Sequence, residues 1–82
     1  MVIDYCEEEI VEERTQLHIG LQFEDEPGSL YVAELELGVD ESVSSWKLYF
    51  NGFDCKYTFR HEEKEQLIQY AAEQGIAIRM NA

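Results

Sequence analysis

Residues 44–59 read SSWKLYFNGFDCKYTF, two apolar runs around Asn51-Gly52, and the rest of the chain is read outward from them. Asn-Gly is the preferred pair for a two-residue turn in which both central residues take positive φ, because that turn twists with the strands it joins. Pairing across it sets Phe50 opposite Phe53, Leu48 opposite Cys55 and Trp46 opposite Tyr57 on one face. Tyr49 with Asp54 and Lys47 with Lys56 fall on the other. Turn chemistry and register therefore agree on a hairpin with strands 46–50 and 53–59, in which Cys55 faces the core.

Upstream, Thr15 to Phe23 (TQLHIGLQF) alternates, with Leu17, Ile19, Leu21 and Phe23 on one side and His18, Gly20 and Gln22 on the other, as in a half-buried strand. The turn-forming EDEPGS follows, and LYVAELEL then resumes the alternation with Tyr31, Ala33, Leu35 and Leu37 inward and Val32, Glu34 and Glu36 outward. These runs form a second hairpin, joined to the first through the polar residues 38–45. Downstream the period changes. Residues 62–75, EEKEQLIQYAAEQG, carry Leu67, Ile68, Ala71 and Ala72 on one stripe, acids in the first turn that suit the helix dipole, and Gly75 as the stop. Ile76, Ile78 and Met80 then alternate as a closing strand.

The opening segment supports two assignments. Asp4 followed three residues later by Glu7 resembles a capping pair, and Ile3, Cys6, Ile10 and Leu17 keep a helical stripe, which points to a helix over 5–14. Against it, Glu8 with Glu12 and Glu9 with Glu13 are like-charge pairs four apart, and the alternative is a strand that lengthens the next one backwards. The expected fold is thus α+β in one domain, residues 1–82. It comprises an antiparallel sheet of four to five strands, made of two consecutive hairpins plus a C-terminal strand, with one helix near residues 61–74 on one face and a helix over 5–14 as the competing feature at the start.

Charge is the other strong signal. The net charge is −12, and residues 1–41 hold thirteen of the Asp and Glu against one basic residue, Arg14, while acids and bases balance in residues 42–82. Such a field repels phosphate, which argues against direct binding to nucleic acid or to an anionic membrane and favours steered approach to a basic protein. No apolar run has the length of a membrane span, and MVIDYCEEE lacks the pattern of a signal peptide, so a cytoplasmic location with Cys6 and Cys55 as free thiols is expected.

Chemistry-bearing motifs are sparse. Cys6, His18, Cys55 and His61 lack the paired spacing of a structural zinc site, and neither Glu24 to Glu26 nor Asp40-Glu41 has the ligand pattern of a calcium loop, so no metal or cofactor is expected. The five glycines are isolated, without a phosphate-cradling loop, and no nucleophile stands beside a base, so an enzyme is not expected. What remains is an acidic surface built from Glu7, Glu8, Glu9, Glu12, Glu13, Glu24, Asp25, Glu26, Glu34 and Glu36, with Tyr31 or Tyr49 as an aromatic anchor where exposed. Carboxylates held on a rigid element can occupy the phosphate positions of a nucleic-acid-binding protein and compete for its Lys and Arg. In size, charge and α+β character the chain resembles uracil-DNA glycosylase inhibitors, some anti-CRISPR proteins and nuclease immunity proteins. That resemblance is one of profile, without a shared motif, and carries no residue role. It implies an inhibitor, antitoxin or immunity-type protein that masks a basic partner, acting in some cases by DNA mimicry. The alternative is a structural or assembly domain, a homodimer whose acidity serves only solubility.

Overall fold

Alternation places the core. Leu17, Ile19 and Leu21, then Ala33, Leu35 and Leu37, lie on adjacent antiparallel strands in a register that sets Leu17 opposite Leu35 and Ile19 opposite Ala33, and all six are buried. The computed structural model, which describes residues 1–79, extends this pair into a five-stranded antiparallel meander. The strands are β1 (Val2–Val11), β2 (Arg14–Gln22), β3 (Tyr31–Leu37), β4 (Val43–Phe50) and β5 (Phe53–Asp54), paired in chain order, and one helix follows, α1 (His61–Glu73). This is the expected α+β layout with its helix on one face. Leu67 and Ala71 of α1, with Phe59 from the segment before it, close the apolar side of the sheet. Among the described residues no helix is long and apolar enough to cross a membrane.

Both ends of α1 follow from the sequence. The Arg60 backbone N–H donates to Glu63 Oε1 at 2.8 Å, so a carboxylate in the first turn satisfies an amide the helix leaves free. Gly75, at φ 85°, ends the helix: its N–H donates to the Ala72 carbonyl and the Ile76 N–H to that of Ala71, the Schellman pattern.

The opening segment is a strand, not a helix. β1 pairs with β2 from Val2 opposite Gln22 to Val11 opposite Arg14, with a bulge at Asp4 between the pairs Ile3–Leu21 and Tyr5–Gly20. The bulge resets the alternation, so Ile3 and Cys6 face the same side three residues apart. That spacing imitates a helical stripe. Strand geometry also removes the like-charge conflict, because Glu7 and Glu9 point to one face, Glu8 to the other, and Glu12 and Glu13 form the turn.

The Asn51-Gly52 hairpin forms as expected, with φ 51° and 81° at its centre, but β5 stops at Asp54. The Cys55 N–H still donates to the Leu48 carbonyl at 2.9 Å; then Lys56 adopts φ 51°, its N–H held by Asp54 Oδ1 at 2.7 Å, and the chain turns off the sheet. Cys55 is consequently exposed rather than packed in the core, Phe53 is 76% exposed, and Tyr57 does not pair with Trp46. Trp46 instead meets Phe59, at 6.0 Å between ring centroids, with Lys64 Nζ 5.2 Å over its ring. The expected C-terminal strand is reduced among the described residues to one parallel bridge, Ser42 with Arg79, beside which Ile76 and Ile78 pack on the core; Met80 lies outside the described residues.

On the face away from α1 the Tyr5 ring lies across Gly20, and a side chain at Gly20 would overlap it. G20A should therefore lower stability by about 1–2 kcal/mol, the usual scale of overpacking. The same substitution in a Y5A background should be neutral or mildly stabilising, because alanine is the better strand residue. A double-mutant cycle by denaturant unfolding checks this, and equal effects in the two backgrounds would contradict it.

Candidate functional site

The ten acids singled out above fall in four places. Glu7, Glu9, Glu34 and Glu36 share the sheet face away from α1, in two cross-strand rows, Glu7–His18–Glu34–Lys47 and Glu9–Gln16–Glu36–Ser45. Neighbouring strands stand about 4.8 Å apart, so the two acids of one row are separated by roughly 10 Å, with His18 or Gln16 between them. His18 Nε2 lies 3.3 Å from Glu34 Oε2; Arg14 pairs with Glu36 and Lys47 stands opposite Glu34, so these two cations partly compensate an acidic face. Glu8 projects to the helix side of β1, near Leu37, Gly38 and Ile76. Glu12 and Glu13 occupy the β1–β2 turn, and Glu24, Asp25 and Glu26 the β2–β3 connection at the opposite end of the sheet. The fold therefore brings four of the ten onto one surface and spreads the rest over an edge and two ends.

A second feature lies where the β2–β3 connection faces the first turn of α1. There a cleft of about 320 Å³ is walled by Phe23, Tyr31 and Tyr57 and lined by the carboxylates of Asp25, Glu26 and Glu63. The rings brace one another: Phe23 meets Tyr31 edge-on at 5.1 Å and Tyr57 at 5.6 Å. The Tyr31 hydroxyl donates to Glu26 Oε2 at 2.9 Å. The Tyr57 hydroxyl donates to the Glu63 carboxylate, equidistant at 2.9 Å from both oxygens. Glu63 is only 3% exposed, yet its charge is met by this phenol, by the Arg60 N–H and by the Arg60 guanidinium at 3.7 Å. Burial, followed by the bond to Glu63, raises the Tyr57 pKa, and the bond to Glu26 raises that of Tyr31, so both are neutral phenols at physiological pH. Aromatic walls with a carboxylate floor attract cations.

Sequence reasoning found Glu26 and Asp25 but not the cleft. Glu63 carried a signal, an acid three residues after Arg60 at a helix start, but that pattern speaks of capping and not of a wall shared with Phe23 and Tyr31. The metal candidates stay apart, and among the described residues no three His, Cys, Asp or Glu side chains are grouped to hold an ion. Asp40 Oδ1 accepts the Ser42 N–H and hydroxyl, which lowers its pKa and makes it a turn cap. Cys6 sits half-buried on β1; burial, then the charges of Glu8 and Glu7, push its thiol pKa up, while Cys55 is exposed. Comparisons with protein-family models, with curated proteins and with solved structures gave no match to this chain.

Two outcomes follow from this chemistry. At neutral pH a thiol reagent should modify Cys55 first, with Cys6 following slowly and accelerating as pH rises, since only the thiolate reacts; C55A should delete the fast phase. Y57F should cost about 1–3 kcal/mol, because it withdraws a donor from a buried carboxylate. The raised Tyr57 pKa adds a pH signature: stability from this phenol is complete below about pH 10 and is lost as pH rises through its higher folded value. Alkaline denaturation of Y57F should lack that loss.

Proposed function

We propose that the chain is a protein-binding module that masks a basic surface of a partner, of the kind nucleic-acid-binding proteins present, and that it acts by binding rather than by catalysis. The observation that carries this is the placement of Glu7, Glu9, Glu34 and Glu36 on a sheet face away from the helix, next to Glu12 and Glu13 in the β1–β2 turn. A sheet holds side chains more firmly than a loop, so these carboxylates meet Lys and Arg with little ordering cost. With the net charge of −12, the field around this surface speeds encounter with a cationic partner and repels nucleic acid and anionic lipid.

One observation favours the competing role in assembly: β1 is a ten-residue edge strand, and open edges pair with other chains. Self-pairing along β1 would bring two copies of Glu7 to Glu9 together, however, whereas a basic segment added to the same edge gains both backbone bonds and charge pairing. The edge thus supports a basic partner over a second copy.

The test compares wild type with a variant carrying Gln at Glu7, Glu9, Glu34 and Glu36, first checked for unchanged circular dichroism and melting temperature. Captured from lysate at low salt, wild type should retain basic nucleic-acid-binding proteins and release them as salt rises. With the recovered partner, the variant should associate more slowly by a factor on the order of ten, with a smaller change in dissociation. Equal association rates would remove the role given to this face. An empty capture from a protein that sediments as a dimer would favour assembly.

A further inference from the structure

We infer that the cleft between the β2–β3 connection and the first turn of α1 receives the guanidinium of an arginine side chain from the partner, gripped between the Tyr31, Tyr57 and Phe23 rings and the Glu26 and Glu63 carboxylates. This deepens the partner-masking role proposed above and rests on it.

Three observations single out this occupant. First, the walls are apolar and the floor is charged: aromatic rings suit the stem and the flat face of a guanidinium, and carboxylates suit its edge, whereas a compact ammonium gains less from stacking. Second, the cleft keeps negative charge to spare. Asp25, Glu26 and Glu63 line it against one cation, Arg60, whose side chain is 74% exposed. Third, the buried Glu63 carboxylate has acceptor capacity left over. A carboxylate offers about four lone-pair sites, and here one N–H and one shared hydroxyl lie within hydrogen-bond range. The Arg60 guanidinium stops at 3.7 Å, an ion pair too long for a hydrogen bond. A donor arriving from outside therefore meets a carboxylate that is already desolvated and already held in place, because the Arg60 N–H fixes Glu63 Oε1 and the Tyr57 hydroxyl spans both oxygens.

Arg60 then acts as an internal competitor at the rim. Its backbone, not its side chain, caps α1, so the side chain can be replaced without loss of the helix start. Removing it should strengthen binding of an external guanidinium, the opposite of what a site for anions would do.

The probe is Nα-acetylarginine methylamide, titrated into 15N-labelled protein at constant ionic strength, with the neutral citrulline analogue as control. Saturable shifts confined to the residues around Phe23, Tyr31, Tyr57 and Glu63 are expected, with a dissociation constant of roughly 1 mM, a scale set by the size of the probe. Citrulline should bind at least about tenfold more weakly, as expected for loss of charge-assisted bonds to carboxylates. The double variant D25N/E26Q, which changes only exposed loop acids, should bind about fivefold more weakly, and R60Q severalfold more tightly. Absence of saturable shifts, equal binding of citrulline, or weaker binding by R60Q each overturns the assignment. If the probe fails while capture of basic proteins still depends on Glu7, Glu9, Glu34 and Glu36, the cleft assignment falls and the partner role stands. If the probe binds but capture is empty, the attribution of the guanidinium to a protein falls.

Discussion

Everything in this fold depends on one register, that of β2 against β3. Because side chains alternate with a period of two, a slip of one residue between these strands would carry Leu17, Ile19 and Leu21 to the solvent face and His18 and Gln16 into the core. Each of those leucines and isoleucines contributes about 1.5–3 kcal/mol by leaving water, while burying an unpaired His or Gln would cost free energy, so the slipped state lies far above the native one. The acidic surface is fixed by the same constraint: with Leu35 and Leu37 committed inward, Glu34 and Glu36 have only the other face. β1, aligned on β2, then adds Glu7 and Glu9 to the same rows.

The parts of this structure that were legible in the sequence are those where one local rule acts alone. Alternation in Thr15 to Phe23 and in Leu30 to Leu37, the Asn51-Gly52 turn, and the 62–75 stripe with its glycine stop each specify their element without help from the rest of the chain. Failures occur where a second rule intervenes. The Asp4 bulge breaks the period of β1 and spaces Ile3 and Cys6 like a helix, and Glu12-Glu13 makes a tight turn without Asn or Gly, so neither the strand nor its hairpin announces itself. Lys56 takes a left-handed backbone conformation that its residue type does not suggest, and the hairpin is cut to two pairs, which exposes Cys55 and frees Phe59 for the core. The same division holds for the site. Acid positions are visible as letters, but the cleft exists only because the β2–β3 connection, β3 and α1 converge, and no spacing in the sequence encodes that.

The long charged edge poses a stability question that β1 answers by geometry. In a helix, Glu8 with Glu12 and Glu9 with Glu13 would stand as like-charge neighbours four apart. In the strand they divide between two faces and a solvated turn, where screening by water and salt keeps the cost low. The same charges make the edge a poor template for pairing with a second copy, which is how natural sheets protect long edges from aggregation. β1 thus leaves its outer backbone groups open while lining that edge with carboxylates.

Glu63 ties the fold to the cleft. It sits at a helix start, where a carboxylate is stabilised by free amides and by the dipole, and this offsets part of the cost of burying its charge. Its position is then overdetermined: the Arg60 N–H holds one oxygen, the Tyr57 hydroxyl bridges both, and Tyr57 is itself braced by Phe23 and by Phe59, the latter at 5.2 Å. A side chain so constrained does not have to be ordered when a ligand arrives, and the entropy that a surface acid would lose on binding has already been lost on folding. The interactions that begin α1 and seat Phe59 in the core are therefore the same ones that preorganise the cleft.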